Sequence, residues 1–120
     1  MRLPIVALAA GLLALPAQGH ESAGRHGGRV ADAGDFHVEL VTAPEGVDVY
    51  VSDARQAPVP VAGFTGTAIL VVGGKAARIP LAPREGNRLS GTTALALGAR
   101  PKGAVQITGP NGATASGSFR

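Results

Sequence analysis

The chain has 120 residues, with 18 Gly, 9 Pro, no Cys and a formal net charge of +3. The absence of Cys excludes disulfides and thiolate metal sites, and the singly scattered Lys and Arg residues argue against a nucleic-acid-binding protein. Gly and Pro recur so often after the N-terminal segment that no long helical pattern survives. The composition therefore favours an all-β fold.

The N-terminal segment is built like a secretory signal peptide. Arg2 precedes an apolar run over 3–15, which at about 13 residues is shorter than the roughly 20 that a membrane-spanning helix needs. Small residues precede two candidate cleavage sites, one after Gly19, which fits better, and one after Ala17. We predict a signal peptide over 1–19, a periplasmic location and no stable membrane span.

The next segment, 20–28, has the sequence HESAGRHGG and contains no large apolar side chain. We predict that it is a flexible arm carrying His20 and His26, because it has nothing to bury. Residues 29–120 then form one domain, since about 100 residues suffice for one small core and not for two.

Apolar residues alternate along the domain with the period of a β-strand. The segment FHVELV places Phe36, Val38 and Leu40 on one face and His37 and Glu39 on the other. Further strands are predicted at 29–30, 47–52, 67–72, 76–81, 88–93, 103–108 and 113–119.

Turn signals separate these strands at hairpin spacing. Turns at 43–46, 73–75 and 110–112 predict three β-hairpins. The crossover over 53–61 contains two Pro residues, which exclude it from the middle of a sheet and favour an edge position. The pattern predicts a small antiparallel β-sandwich of the immunoglobulin-like kind with seven to eight strands, and an open barrel is the alternative.

The sequence carries no catalytic motif. It lacks a nucleophile elbow, a phosphate-binding loop and zinc-finger spacing, so we predict that the protein is not an enzyme. By contrast, its three His residues (His20, His26 and His37) all lie in the first third of the chain, near several carboxylates. Imidazole and carboxylate suit Cu(II) and Zn(II), so this region is the candidate metal site.

The spacing of these residues indicates how they would meet. His37 and Glu39 leave the same strand face roughly 6.5 to 7 Å apart, and a chain reversal at 33–35 would bring His26 beside them. Cleavage after Gly19 would give His20 a free α-amine, and the amine and imidazole would chelate Cu(II). The predicted ligands are therefore His26, His37 and Glu39, with His20. The alternative is that these side chains are merely solvated.

Several segments carry a resemblance to a known group of proteins. The stretches HGGRV at 26–30 and FHVELV at 36–41, with VYVSD at 49–53, resemble small periplasmic proteins and modules associated with heavy-metal efflux adaptors of proteobacteria. A looser likeness, to periplasmic copper carriers whose N-terminal His binds copper, rests on His20 alone.

This resemblance implies an exported accessory protein that handles copper or zinc, is linked to metal efflux or resistance, and has an envelope efflux component as partner. His26, His37 and Glu39 are the matching polar positions. The competing function is a structural or protein-interaction module of an efflux or envelope complex, which docks by an edge strand and binds no metal.

Overall fold

A computed structural model describes residues 21–120, so the predicted signal peptide and His20 lie outside the described residues. Within this range the chain has no helix, and hence none with the length and apolarity needed to cross a membrane. The strands are β1 (Ser22–Ala23), β2 (Arg29–Ala33), β3 (Phe36–Ala43), β4 (Gly46–Asp53), β5 (Thr65–Val72), β6 (Lys75–Pro83), β7 (Arg88–Thr92), β8 (Lys102–Thr108) and β9 (Thr114–Phe119).

The nine strands form one antiparallel sheet in the order β1-β2-β3-β4-β7-β6-β5-β8-β9. The long strand β6 joins the two halves, because it pairs with β5 along most of its length and with β7 at Ala82 and Pro83. The sheet curls into a half-barrel that brings β9 against β2. The all-β prediction is confirmed, but the structure has one curled sheet where two separate sheets of a sandwich were predicted.

The three predicted hairpins are present as β3–β4, β5–β6 and β8–β9. The crossover between β4 and β5 forms one isolated β-bridge with the sheet, which pairs Pro58 with Ser52 near the end of β4. Its Val61 is fully buried, so the crossover also covers part of the core.

The core fills the inner surface of the curled sheet, and the predicted inward faces of β3 and β4 are confirmed. Val38 and Leu40 of β3 are buried, as are alternate residues of β4. Period-two alternation places every second side chain of a strand on one face, which explains why these faces were predictable. The other buried core residues are Ala31, Ala33, Val47, Val49, Val51, Phe64, Ala68, Leu70, Ile79, Leu81, Leu89, Val105, Ile107 and Phe119.

The two ends of the sheet meet where β9 packs on β2 and β3. A Cβ atom added at Gly117 would lie 2.9 Å from Val38 Cγ2 and 3.0 Å from the backbone oxygen of Asp32. Gly117 therefore permits a close approach that any larger residue would push apart.

The same junction is closed by a group of polar contacts, which we call the Arg29 clasp: Glu21, Arg29, Pro101 and Arg120. The buried Arg29 guanidinium donates to the backbone oxygens of Pro101 and Arg120, each at 2.7 Å, and to Glu21 Oε1 at 3.2 Å. Glu21 Oε2 also accepts the backbone N–H of Arg120 at 2.6 Å. The clasp thus ties the start of the described chain to its last residue.

The clasp predicts a pH-dependent part of the stability. The Arg120 backbone N–H lowers the pKa of Glu21 below its usual 4.5, and Arg29 lowers it further against the opposing effect of burial. A carboxyl whose pKa is lower in the folded state stabilises the fold fully above its unfolded-state pKa and loses that contribution as pH falls through the folded-state pKa. Urea unfolding of wild type and Glu21→Gln should therefore differ most near neutral pH and converge in acid. A difference that stays constant down to about pH 3 would contradict this.

Candidate functional site

The outer face of β2, β3 and β4 carries a groove of about 310 Å³, which we call the His groove. Both imidazoles of the described residues, His26 and His37, line it together with Asp32, Glu39 and Tyr50. The groove continues toward the crossover and the β6–β7 turn, where Ser52, Gln56, Pro58 and Asn87 line it.

Glu39 lies at the base of the groove and is only 5% exposed, although the sequence places it on the strand face opposite the core side chains Val38 and Leu40. Its Oε2 accepts the backbone N–H groups of His26 and Gly28, both at 2.8 Å, and its Oε1 lies 2.9 Å from His26 Nδ1. A buried carboxylate needs such donors, because leaving water without them would cost several kcal/mol.

These contacts explain the conformation of the predicted flexible arm. Residues 22–28 form β1 and a tight turn into β2, closed by a backbone hydrogen bond from Gly24 N–H to the Gly28 oxygen at 3.0 Å. Gly24 packs directly on the Glu39 carboxyl group, where any side chain would collide with it. The turn has no apolar side chain that could pack into the core. Hydrogen bonds to the Glu39 carboxylate of β3 hold it in place instead.

His26 is fixed by a second contact, with Tyr50 of β4. The two rings are stacked, with centroids 3.6 Å apart and planes within 4° of each other. A carboxylate oxygen only accepts hydrogen bonds, so His26 Nδ1 is the donor to Glu39. His26 Nε2 therefore keeps the ring's free lone pair.

His37 has a carboxylate partner of its own on the neighbouring strand. Its Nε2 lies 3.1 Å from Asp32 Oδ1, since the two residues are directly opposite each other in the β2–β3 pair. This contact is an ion-pair distance between an imidazole and a carboxylate. The imidazole is about a quarter exposed, whereas the Asp32 side chain is mostly exposed.

The predicted ligands are thus brought to one face as two separate imidazole–carboxylate pairs. The reversal predicted at 33–35 exists as the β2–β3 turn, and it places His26 on Glu39 as expected. Among residues 21–120, however, no group of three His, Asp or Glu side chains is close enough to hold one metal ion. Glu39 accepts its three hydrogen bonds from His26 and Gly28, and none of them comes from His37.

The far end of the groove is shaped by a rigid turn after β4. Asp53 Oδ1 accepts the backbone N–H groups of Arg55 and Ala57, at 2.8 and 2.9 Å, and these two bonds lower the pKa of Asp53. The turn holds Gln56 at a φ of 68°, a left-handed conformation that costs energy in a residue with a side chain. This turn presents Gln56 at the groove.

Three residues of this region were not predicted from the sequence to have a role. Asp32 and Tyr50 could have been found by pairing β2, β3 and β4 in register, because they lie directly opposite His37 and Glu39. Arg29 had no such signal, since its partners lie 72 and 91 residues away along the chain.

Comparison with known proteins finds no match of significance to a protein family, to a curated protein or to a solved structure.

Proposed function

We propose that the protein is an exported, non-enzymatic accessory protein that binds a divalent transition-metal ion, Cu(II) or Zn(II), in the His groove. The observation that carries this proposal is that His26 and His37 line one groove and that each has a carboxylate partner, at 2.9 and 3.1 Å. Metal-binding His residues almost always donate their second ring N–H to such a partner, which orients the ring.

Only the contact of His26 points to a particular ligand atom. In the neutral ring that donates its Nδ1–H to Glu39, Nε2 carries the free lone pair, and neutral imidazole nitrogen suits both ions. His37 supplies the second imidazole nitrogen. In this proposal Glu39 and Asp32 orient the imidazoles. Glu39 therefore changes from the ligand that the sequence predicts to a positioning residue.

A metal ion held by two imidazoles has further coordination positions, which water and another protein donor can fill. In this proposal that donor is the predicted mature N-terminus, because cleavage after Gly19 leaves the amine and imidazole of His20 just before Glu21. A site with two or three protein ligands implies micromolar affinity, which suits an accessory protein that passes an ion on. A role in metal efflux or resistance, with an envelope efflux component as partner, rests on the sequence resemblance.

Calorimetry with CuCl₂ and ZnCl₂ tests this proposal. The protein is purified from the periplasm, and its intact mass identifies whether cleavage occurs after Gly19. At about 100 μM protein, roughly tenfold above a Kd of about 10 μM, wild type should give one-site binding heat at pH 7.5. His37→Ala should lower the affinity sharply, and lowering the pH to 5.5 should weaken binding because protons compete for imidazole nitrogen.

Gln56→Ala is the matched control, because Gln56 lines the same groove without offering an imidazole. It should bind metal like wild type. The absence of heat with both metals, or equal heat from wild type and His37→Ala, would overturn the metal proposal in favour of a protein-interaction module.

A further inference from the structure

Charge is distributed unevenly between the two halves of the sheet. Glu85 is the only carboxylate side chain after Asp53, whereas eight of the chain's eleven Lys and Arg residues lie after residue 54. The strands β1 to β4 are therefore acidic, and β5 to β9 are basic. This separation along the sequence becomes a separation in space, because each group of strands forms one side of the half-barrel.

Several carboxylates of the acidic side contact groups of the protein itself. Glu21 pairs with Arg29, Asp32 with His37, and Asp48 with Arg88, while Glu39 accepts its three hydrogen bonds from the arm. The basic side is not neutralised. Among the described residues, the cations there that form no ion pair are Lys75, Arg78, Arg84, Lys102 and Arg120.

Two of these cations lie together at one end of the molecule. The β5–β6 hairpin turns at Gly73 and Gly74, Lys75 begins β6, and Lys102 pairs with Val71 across β5 and β8. We call Val71, Lys75 and Lys102 the basic tip. Since β7 ends at Thr92, Lys75 projects roughly 15 Å beyond β7 at the usual rise per residue.

One exposed apolar side chain lies at the same end. Val71 is 41% exposed and lies on β5, the strand between Lys75 of β6 and Lys102 of β8. The other exposed large hydrophobic residue of the described chain, Leu95, is set back beside the end of β7, because its N–H bonds Thr93 Oγ1 at 3.2 Å. Glu45 of the β3–β4 turn is also set back from the tip, because its backbone oxygen bonds Thr93 just past the end of β7.

We propose that the basic tip docks the protein on an anionic lipid surface. Unpaired cations beside the exposed Val71 side chain match the two components of such a surface, its negative headgroups and the apolar region beneath them. An acidic protein would satisfy the cations as well, but it would not account for the exposed Val71 side chain on the strand between them. The molecule would then bind with its acidic side directed away from the lipid.

Vesicle co-sedimentation of the full mature protein tests this inference. Vesicles containing phosphatidylglycerol should bind the protein at about 50 mM salt and release it at about 500 mM, where charges are screened within a few ångströms. Pure phosphatidylcholine vesicles should bind it far less. Because each basic residue near an anionic surface contributes roughly fivefold, Lys75→Ala/Lys102→Ala should reduce partitioning about 30-fold.

Arg55→Ala/Arg84→Ala is the control, since it removes the same charge from turns at the opposite end and should cause a much smaller change. Equal losses from the two double variants would overturn the proposal, because only net charge would then matter. Equal binding to both kinds of vesicle would also overturn it. Binding to poly-L-glutamate that needs Lys75 and Lys102, without vesicle binding, would replace the lipid by an acidic protein partner.

Discussion

Val49→Asp should leave the protein unfolded at neutral pH. Val49 is fully buried in the centre of β4 and faces the core between β3 and β7. The substitution removes a buried aliphatic group and places a carboxylate where no donor is available, at a cost of several kcal/mol. Since a small domain is stable by only about 5 to 15 kcal/mol, this cost consumes most or all of its stability.

The measurement is circular dichroism with urea unfolding, and Val71→Asp is the matched control. Val71→Asp makes the same chemical change on a strand, but at a residue that is 41% exposed. This variant should therefore fold, and its free energy of unfolding should differ from that of wild type by less than about 1 kcal/mol. A folded Val49→Asp protein with a cooperative transition like that of wild type would mean that β4 has the opposite face inward, since a one-residue shift in register exchanges the faces.

The strand faces were predictable because they depend only on local alternation. Val38 and Leu40 follow a period of two, and so do the alternate residues of β4, so each strand reveals its buried side without reference to its neighbours. The hairpins were predictable for the same reason, since Gly73 and the Asn111-Gly112 pair mark turns between adjacent strands.

The order of the strands was not predictable in this way. The pairs β4–β7 and β5–β8 join segments separated by more than 30 residues, and no turn residue signals them. Whether β6 ends one sheet or continues into β7 depends on two residues, Ala82 and Pro83. A sandwich and a curled sheet can therefore arise from nearly the same strand pattern.

The site was predictable in its location and not in its detail. A turn at 33–35 and alternation along β3 are enough to bring His26 near Glu39. The burial of Glu39 was missed, because the polar segment 22–28 covers it through backbone N–H groups, which every residue except Pro carries. Asp32 becomes a partner of His37 only once the register of β2 and β3 is known.

Arg29→Met should destabilise the fold by about 3 to 5 kcal/mol, because removing the cation of a buried polar cluster leaves the acceptors that it bonded without their donor. Glu21 would lose its closest cation, and the backbone oxygens of Pro101 and Arg120 would lose their 2.7 Å donors. For a domain of this size, the melting temperature should fall by roughly 10 °C or more. Arg29→Lys should lose most of this stability too, since an ammonium group cannot reach three acceptors with the geometry of a guanidinium.

Arg100→Met is the control for the Arg29 clasp, because Arg100 also approaches Glu21, but at 3.8 Å and with a side chain that is 67% exposed. Such a surface pair contributes less than about 1 kcal/mol, so its removal should barely shift the unfolding midpoint. The two variants change the net charge equally, and a difference between them therefore reports burial and hydrogen bonding at the β2–β9 junction. Similar small losses from both would mean that packing at Gly117 and Phe119 holds the junction closed without the clasp.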